Sequence, residues 1–312
     1  LMRAFAYDNY GGPGSIHELP EPTPEAGQVR VRVRAASLNP FDNFVVQGYM
    51  KDRMPTELPL VPCGDFSGIV DMIGPGVDDF AVGDQVFGVT GRMIGQGTLA
   101  ELTVASTTTI AKRPAAIQDT EAAAMPLAGV SALMSVEAAG AKPKDVVVVV
   151  GASGGIGGYA VQLAALRGAQ VVAVTSKGHE EYVRKLGATD VIDRTAGDVL
   201  GELESRHADG VAAIIDTFSD AAGLARLGQA VRKGGTVTSM RGAASVEDLA
   251  KREITAVNIG TQVNTARLRE LAQLRTEGKL QSPLIHTFTL DDADDAFAAI
   301  GQSAGGKLVV TI

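Results

Sequence analysis

From about residue 119 onward, short apolar runs alternate with stretches whose apolar residues recur at helical spacing. The runs at 146–150, 171–174, 191–192, 213–216, 236–239 and 256–259 read as strands. Stretches such as 159–166, 180–186 and 221–231 fit as helices between them. Five consecutive valines at 146–150 suit a strand covered on both faces, as the centre of a parallel sheet requires. Strand–helix alternation of this kind implies right-handed βαβ crossovers and a doubly wound α/β sheet. The first ~118 residues have another texture, short strands broken by turns such as Gly11-Gly12-Pro13-Gly14, Gly74-Pro75-Gly76 and Gly83-Asp84. Within them Val29-Arg30-Val31-Arg32-Val33-Arg34 alternates strictly, predicting a strand with one buried and one wet face. After about Gly260 one more helix is expected at 264–277. The strand-like tail Gly306-Lys307-Leu308-Val309-Val310-Thr311-Ile312 is expected to return to the first domain.

The valine run leads into Gly151-Ala152-Ser153-Gly154-Gly155-Ile156-Gly157-Gly158, a glycine turn between a strand and a helix. Glycines let backbone N–H groups approach a pyrophosphate with no Cβ in the way, and the helix start adds orphan donors and a positive dipole end. Ser153, Gly154, Gly155, Ile156 and Gly157 are therefore candidate dinucleotide ligands. A cofactor with a free ribose 2′-OH usually meets Asp or Glu at the end of the next strand. That strand ends here in Val174-Thr175-Ser176-Lys177, with no carboxylate before Glu180. Ser176 can donate a hydrogen bond and Lys177 can neutralise a 2′-phosphate, which points to NADPH. A short-chain dehydrogenase would need a Tyr-x-x-x-Lys pair far downstream, and Tyr182-Val183-Arg184-Lys185 has the wrong spacing.

Composition narrows the rest. The 312 residues are 45% hydrophobic and carry a net charge of −8, with no basic cluster to favour nucleic acid or an anionic membrane. No apolar run approaches the ~18 residues of a spanning helix. Leu1-Met2-Arg3-Ala4 leads into no apolar signal region, and the one cysteine, Cys63, suits a reducing compartment. A cytoplasmic location is the expectation.

Several stretches, in order, resemble the medium-chain dehydrogenase/reductase superfamily in its quinone oxidoreductase branch. They are Ala36-Ser37-Leu38-Asn39-Pro40-Phe41-Asp42, Cys63-Gly64-Asp65-Phe66-Ser67-Gly68-Ile69-Val70, Val82-Gly83-Asp84-Gln85-Val86-Phe87-Gly88 and Gly97-Thr98-Leu99-Ala100-Glu101. Ala122-Ala123-Ala124-Met125-Pro126-Leu127-Ala128-Gly129-Val130-Ser131-Ala132 completes the series. The resemblance implies a mostly-β, GroES-like catalytic domain over 1–118 and 262–312, and a Rossmann doubly wound domain over 119–261. It also implies hydride transfer from NADPH to a quinone or other conjugated enone, and a homodimer joined through edge strands of the nucleotide domains. By that resemblance Asn39 contacts the nicotinamide or the substrate, and Ser131 lies near the nicotinamide ribose or amide. Tyr49 is the candidate donor to a substrate oxygen, one position off the usual tyrosine. NADPH-using relatives often carry Tyr where this chain has Asp193, and Arg194 beside it can compensate.

Zinc-dependent members hold a catalytic metal with Cys and His, and structural zinc with four cysteines. Here the Cys-His region reads Leu38-Asn39-Pro40 and the usual His position reads Gly64, so no metal is expected. Without a Lewis acid, a conjugated acceptor that spreads developing charge over its own oxygen is the easier substrate. A 2-enoyl thioester reductase of the same fold and a catalytically silent NADPH-binding protein stand as alternatives. Substrate choice is expected to lie in loops 49–60, 92–97 and 241–246.

Overall fold

The computed structural model describes residues 1–54, 56–90, 96–302 and 304–312. The elements begin β1 (Met2–Tyr7), β2 (Gly14–Leu19), β3 (Gln28–Leu38), α1 (Pro40–Val46), β4 (Asp65–Ile73), β5 (Gln85–Val89), β6 (Leu102–Ser106), β7 (Ile110–Lys112) and α2 (Asp119–Ala124). They continue α3 (Pro126–Ala139), β8 (Val146–Val150), α4 (Gly155–Leu166), β9 (Gln170–Thr175), α5 (Glu180–Lys185), β10 (Asp190–Asp193), α6 (Val199–Arg206) and β11 (Val211–Asp216). The last are α7 (Ala221–Leu227), β12 (Val231–Ser239), α8 (Val246–Ala250), β13 (Thr255–Asn258), α9 (Thr265–Thr276), β14 (Ile285–Thr289), α10 (Ala293–Ala298) and β15 (Lys307–Thr311). They form two compact units. One comprises Leu1–Leu127, Val263–Gly278 and Ser282–Ile312, the other Ala128–Gln262 and Lys279–Gln281.

The first unit is built on β3. Its valines 29, 31 and 33 are buried while Arg32 and Arg34 face out, as the alternation predicts. Arg30 is held on the outer face by a two-pronged hydrogen bond to Asp71, at 2.9 and 3.1 Å. Among the described residues the sheet runs β14-β15-β3-β4-β5-β7, with β6 also on β3. The tail returns as expected, since β15 pairs antiparallel with β3. Residues 119–127, read from sequence with the nucleotide domain, belong to this unit. The reason is packing, because Ala123 and Ala124 of α2 bury against Ala35 of β3 and Val309 of β15.

The second unit is one parallel sheet in the order β10-β9-β8-β11-β12-β13. Counted from β8 this is 3-2-1-4-5-6, the doubly wound order whose ligand crevice opens where the winding reverses, at the carboxyl ends of β8 and β11. Helix 221–231 stops earlier than its pattern suggested, because Val231 pairs with Val211 and starts β12. Buried Gln162 of α4 takes the N–H of Gln281 at 2.7 Å and returns a hydrogen bond to its carbonyl at 3.3 Å, which ties 279–281 to this unit.

In the first unit α10 is anchored by one aromatic side chain. Phe297 stacks on Phe5 at 6.4 Å between ring centroids and meets Tyr7 edge-on at 5.6 Å. Phe297→Ala should lower the free energy of unfolding by about 3–5 kcal/mol, read by denaturant titration. A loss below ~1 kcal/mol would mean that α10 repacks without it.

Candidate functional site

The glycine turn sits where β8 ends. Gly151 has φ +78°, and a Cβ there would lie 2.4 Å from the Thr217 hydroxyl beyond β11, so only glycine fits. A Cβ on Gly157 would lie 2.0 Å from the Gly151 carbonyl, which is how closely α4 approaches its strand. Gly154 differs. It caps α4 with ordinary φ −75°, and a Cβ there would come no nearer than 3.3 Å to the Gly151 carbonyl. The first helical amides, Gly155, Ile156 and Gly157, have no intrahelical acceptor and are the kind of donors an anion binds. Ser153 is buried beside them. Its Oγ accepts the Thr175 hydroxyl at 2.7 Å, which leaves its own O–H to donate. This set fits a dinucleotide pyrophosphate.

Beside the turn is a cavity of about 270 Å³, lined among others by Val150, Val174, Arg194, Phe218 and Ser219. The Arg194 guanidinium lies 4.3 Å from the centre of the Phe218 ring, a cation–π contact that orients both. Arg241 fixes the Phe218 carbonyl at 2.6 Å. Buried Asp216 ends β11 and accepts the Ser219 amide and hydroxyl at 3.1 and 2.7 Å, shaping the turn that carries Phe218. Burial raises its pKa and the Ser219 bonds oppose that. Ser176 is half-buried and Lys177 exposed at the end of β9. Asp193 lies across from Thr175 in the next strand and accepts the Thr195 hydroxyl and amide at 2.6 and 2.8 Å. Those bonds, with Lys177 and Arg194 nearby, hold its carboxyl below the usual range. Ser131 is buried on α3, its hydroxyl 2.6 Å from that of Thr261.

The first unit holds a buried polar cluster at the end of β3. Asn39 precedes α1, and its N–H donates to Asp42 at 2.7 Å. Its Nδ2 donates to Asp65 at 3.1 Å, and Asp65 also accepts the Ser37 hydroxyl at 3.1 Å and the Leu127 amide at 3.2 Å. Lys307, buried, donates through Nζ to the Leu38 carbonyl at 2.9 Å and to Asn39 Oδ1 at 2.6 Å. Burial pushes the Asp42 carboxyl up to about 7, against the pull of the Asn39 amide. It also raises Asp65 and Cys63 and lowers Lys307. Cys63, which stands where the resemblance has glycine, adopts φ 72° and completes the cluster.

The sequence-derived residues thus fall into four places, Ser131 on α3 being one of them. Ser153, Gly154, Gly155, Ile156 and Gly157 form one turn, with Ser176, Lys177 and Arg194 at the neighbouring strand ends. Asn39 lies in the buried cluster. Tyr49 stands beyond the far end of α1, 72% exposed, its ring tilted against Phe44 at 5.9 Å. Lys307 escaped sequence reading because it stands in an ordinary strand pattern. The one available signal was a lysine at the head of a valine-rich strand. Residues 92–95 of the loop at 92–97, and Pro55, lie outside the described residues. Among the described residues no group of three or more His, Cys, Asp or Glu could hold a metal ion.

The alcohol dehydrogenase GroES-like domain family matches residues 25–115, and the family described as zinc-binding dehydrogenase matches residues 155–274. A chloroplast envelope quinone oxidoreductase homolog of Arabidopsis thaliana is 33% identical over 327 aligned residues, covering 99% of this chain and 98% of that protein. The quinone oxidoreductase of Coxiella burnetii superposes with a TM-score of 0.91 at 28% identity, covering 100% of this chain and 99% of that one. The CurK enoyl reductase, at 22% identity and a TM-score of 0.89 over 99% of each chain, shares the fold. A GroES-like unit joined to a doubly wound unit with this turn defines an oxidoreductase that uses a nicotinamide cofactor. The chain belongs to the medium-chain dehydrogenase/reductase superfamily, in its quinone oxidoreductase branch.

The two glycines should separate folding from binding. Gly157→Ala should destabilise the second unit by about 1–3 kcal/mol, while Gly154→Ala should melt near wild type and lose dinucleotide affinity, as thermal melts and cofactor titration would show. Equal melting temperatures for the two variants would refute the distinction. Asp42 predicts a pH dependence. Its carboxyl takes up a proton near 7 in the folded chain and near 3.8 when unfolded. The folded state therefore binds the extra proton between those values, and Asp42 makes stability fall as pH rises through that window. Asp42→Asn should flatten the melting-temperature profile between pH 4 and 8. A profile parallel to wild type would assign the dependence to Asp65 or Lys307.

Proposed function

We propose that the chain is a zinc-independent, NADPH-dependent reductase of a quinone or other conjugated enone. One observation carries the cofactor choice. The end of β9 offers Thr175 and Ser176 where a 2′-OH site needs a carboxylate, and Thr175 is turned inward onto Ser153. Lys177 and Arg194 stand just past the ends of β9 and β10, and the acids near them are already engaged, Asp193 by both Thr195 donors, Glu180 by the Gly178 amide and Asp198 by Arg226. Two cations with no carboxylate free to face a ribose favour a 2′-phosphate.

The quinone assignment rests on the relatives' names and on the donor set of the first unit. Asn39, Asp42, Asp65 and Lys307 bind one another rather than presenting Cys and His to a metal. Such groups can orient and hydrogen-bond a conjugated acceptor, whose own oxygen takes up the developing charge. When bound, NADPH would supply the hydride. The Gly155, Ile156 and Gly157 amides and Ser153 would hold its pyrophosphate with Gly154 leaving it room, Lys177 and Arg194 its 2′-phosphate, and Ser131 the ribose or amide of its nicotinamide. Asn39 would meet the nicotinamide or the substrate, and Tyr49 would donate to a substrate oxygen. A homodimer belongs to this reading, joined through an edge strand of the parallel sheet, whose ends are β10 and β13. Light scattering should then give twice the 32.2 kDa chain mass.

The test is NADPH consumption with a benzoquinone, a naphthoquinone, a simple enone and a 2-enoyl thioester, with NADH and chelator as controls. Turnover with quinone or enone that is weak with NADH and indifferent to chelator is the expected result. Preference for the thioester would select the enoyl reductase reading, and tight NADPH binding without any turnover the silent binder. Lys177→Glu should raise the KM for NADPH at least about tenfold while leaving that for NADH within about twofold. Equal effects on both cofactors would overturn the 2′-phosphate assignment.

A further inference from the structure

Lys307 is a buried ammonium with no direct carboxylate partner among the described residues. β15 pairs with β3 so that Leu308 faces Leu38, which sets Lys307 opposite Asn39 at the head of α1. Its Nζ reaches the Leu38 carbonyl and Asn39 Oδ1, and on the other side of the same carboxamide Nδ2 donates to Asp65. The Asn39 carboxamide therefore bridges a cation and an anion, with its oxygen toward the ammonium and its nitrogen toward the carboxylate. Turning it over would set N–H against Nζ and oxygen against the carboxylate, two repulsions in a place that water cannot relieve. Asn39 thus has one allowed orientation. Its oxygen is turned onto the Lys307 ammonium, and one of its two Nδ2 hydrogens is left without a partner among the described residues.

We infer that Lys307 is a positioning residue that locks the Asn39 carboxamide as a donor, so that Asn39 engages only an acceptor oxygen of the bound cofactor or substrate. This rests on the function proposed above and makes it more specific. A carbonyl oxygen, on a nicotinamide carboxamide or on a quinone or enone, meets that requirement. An N–H or O–H donor at the same place does not. The lysine touches neither cofactor nor substrate. It acts through Asn39.

The experiment is a double-mutant cycle with Lys307→Met, Asn39→Ala and the pair, following kcat and KM for NADPH and quinone, NADPH Kd by fluorescence, and melting temperature. Loss of the lock should lower kcat/KM for Lys307→Met by between about ten- and a hundredfold. The pair should be no worse than Asn39→Ala alone. Lys307→Arg, which keeps the charge and a donor, should recover part of the loss. A purely structural lysine would give additive losses or lower only the melting temperature, and either result overturns the inference. Side-chain amide NMR of the ligand-free protein, with Asn39 assigned from its absence in Asn39→Ala, gives a readout independent of turnover. Its carboxamide protons should exchange slowly in wild type and faster in Lys307→Met. Equal exchange would also refute the lock. If Lys307→Met does not fold, the same comparison is made with Lys307→Arg, whose planar fork cannot reproduce both Nζ bonds. If wild type turns over no acceptor, the proposed function fails, while the amide exchange still decides whether Lys307 holds Asn39.

Discussion

An ammonium group cannot be buried among β-strands unless its charge and its hydrogen bonds are met inside the protein. Much of the first unit's arrangement around Lys307 follows from that requirement. The cation comes from β15, the last strand. Its partners come from the end of β3 and the start of α1, and the compensating carboxylates come from α1 and β4. Of these segments only β3 and α1 are continuous in the chain, and strand pairing brings β4 and β15 to them. The antiparallel pairing of β15 with β3 places Lys307 against Asn39, and the return of the tail to the first unit is what allows the site's asparagine to be held. Because Asp42 and Asp65 are themselves raised by burial, the cluster is poised, with its charge state set by neighbours rather than by solvent.

In the second unit the governing constraint is steric. Gly157 brings α4 so near the end of β8 that no Cβ fits, and Gly151 turns the chain beside Thr217 through a left-handed conformation. These contacts aim the first amides of α4 at the crevice where the sheet reverses its winding. The polar neighbours reinforce the geometry. Thr175 satisfies the acceptor side of Ser153, and Asp216 together with Arg241 shapes the turn that carries Phe218 beneath Arg194. Ser153 is held by Thr175, and the Phe218 turn by Arg241 and Asp216. That is the arrangement a preorganised binding site requires.

Local pattern was sufficient where the signal is periodic or conformational. The alternation at 29–34, the valine run of β8 and the spacing of the glycines each dictate a backbone state through side-chain period or the lack of a Cβ. The strands and the phosphate-binding turn were legible for that reason. Elements whose ends depend on a distant partner were less so. Val231 leaves its helix to pair with Val211, and α2 joins the first unit because its alanines bury against β3 and β15.

The sequence by itself therefore determined the two textures, the doubly wound sheet, the dinucleotide turn, and the absence of a carboxylate at the end of β9. Each is written in residues near one another along the chain. Only the tertiary structure decided that Lys307 meets Asn39 across 268 positions, that Thr175 faces Ser153 rather than solvent, and that Asp193 stands near Lys177. Those relations have no local pattern. They arise when strand pairing brings separate segments into one low-dielectric place, where a polar group must find its partner within the protein.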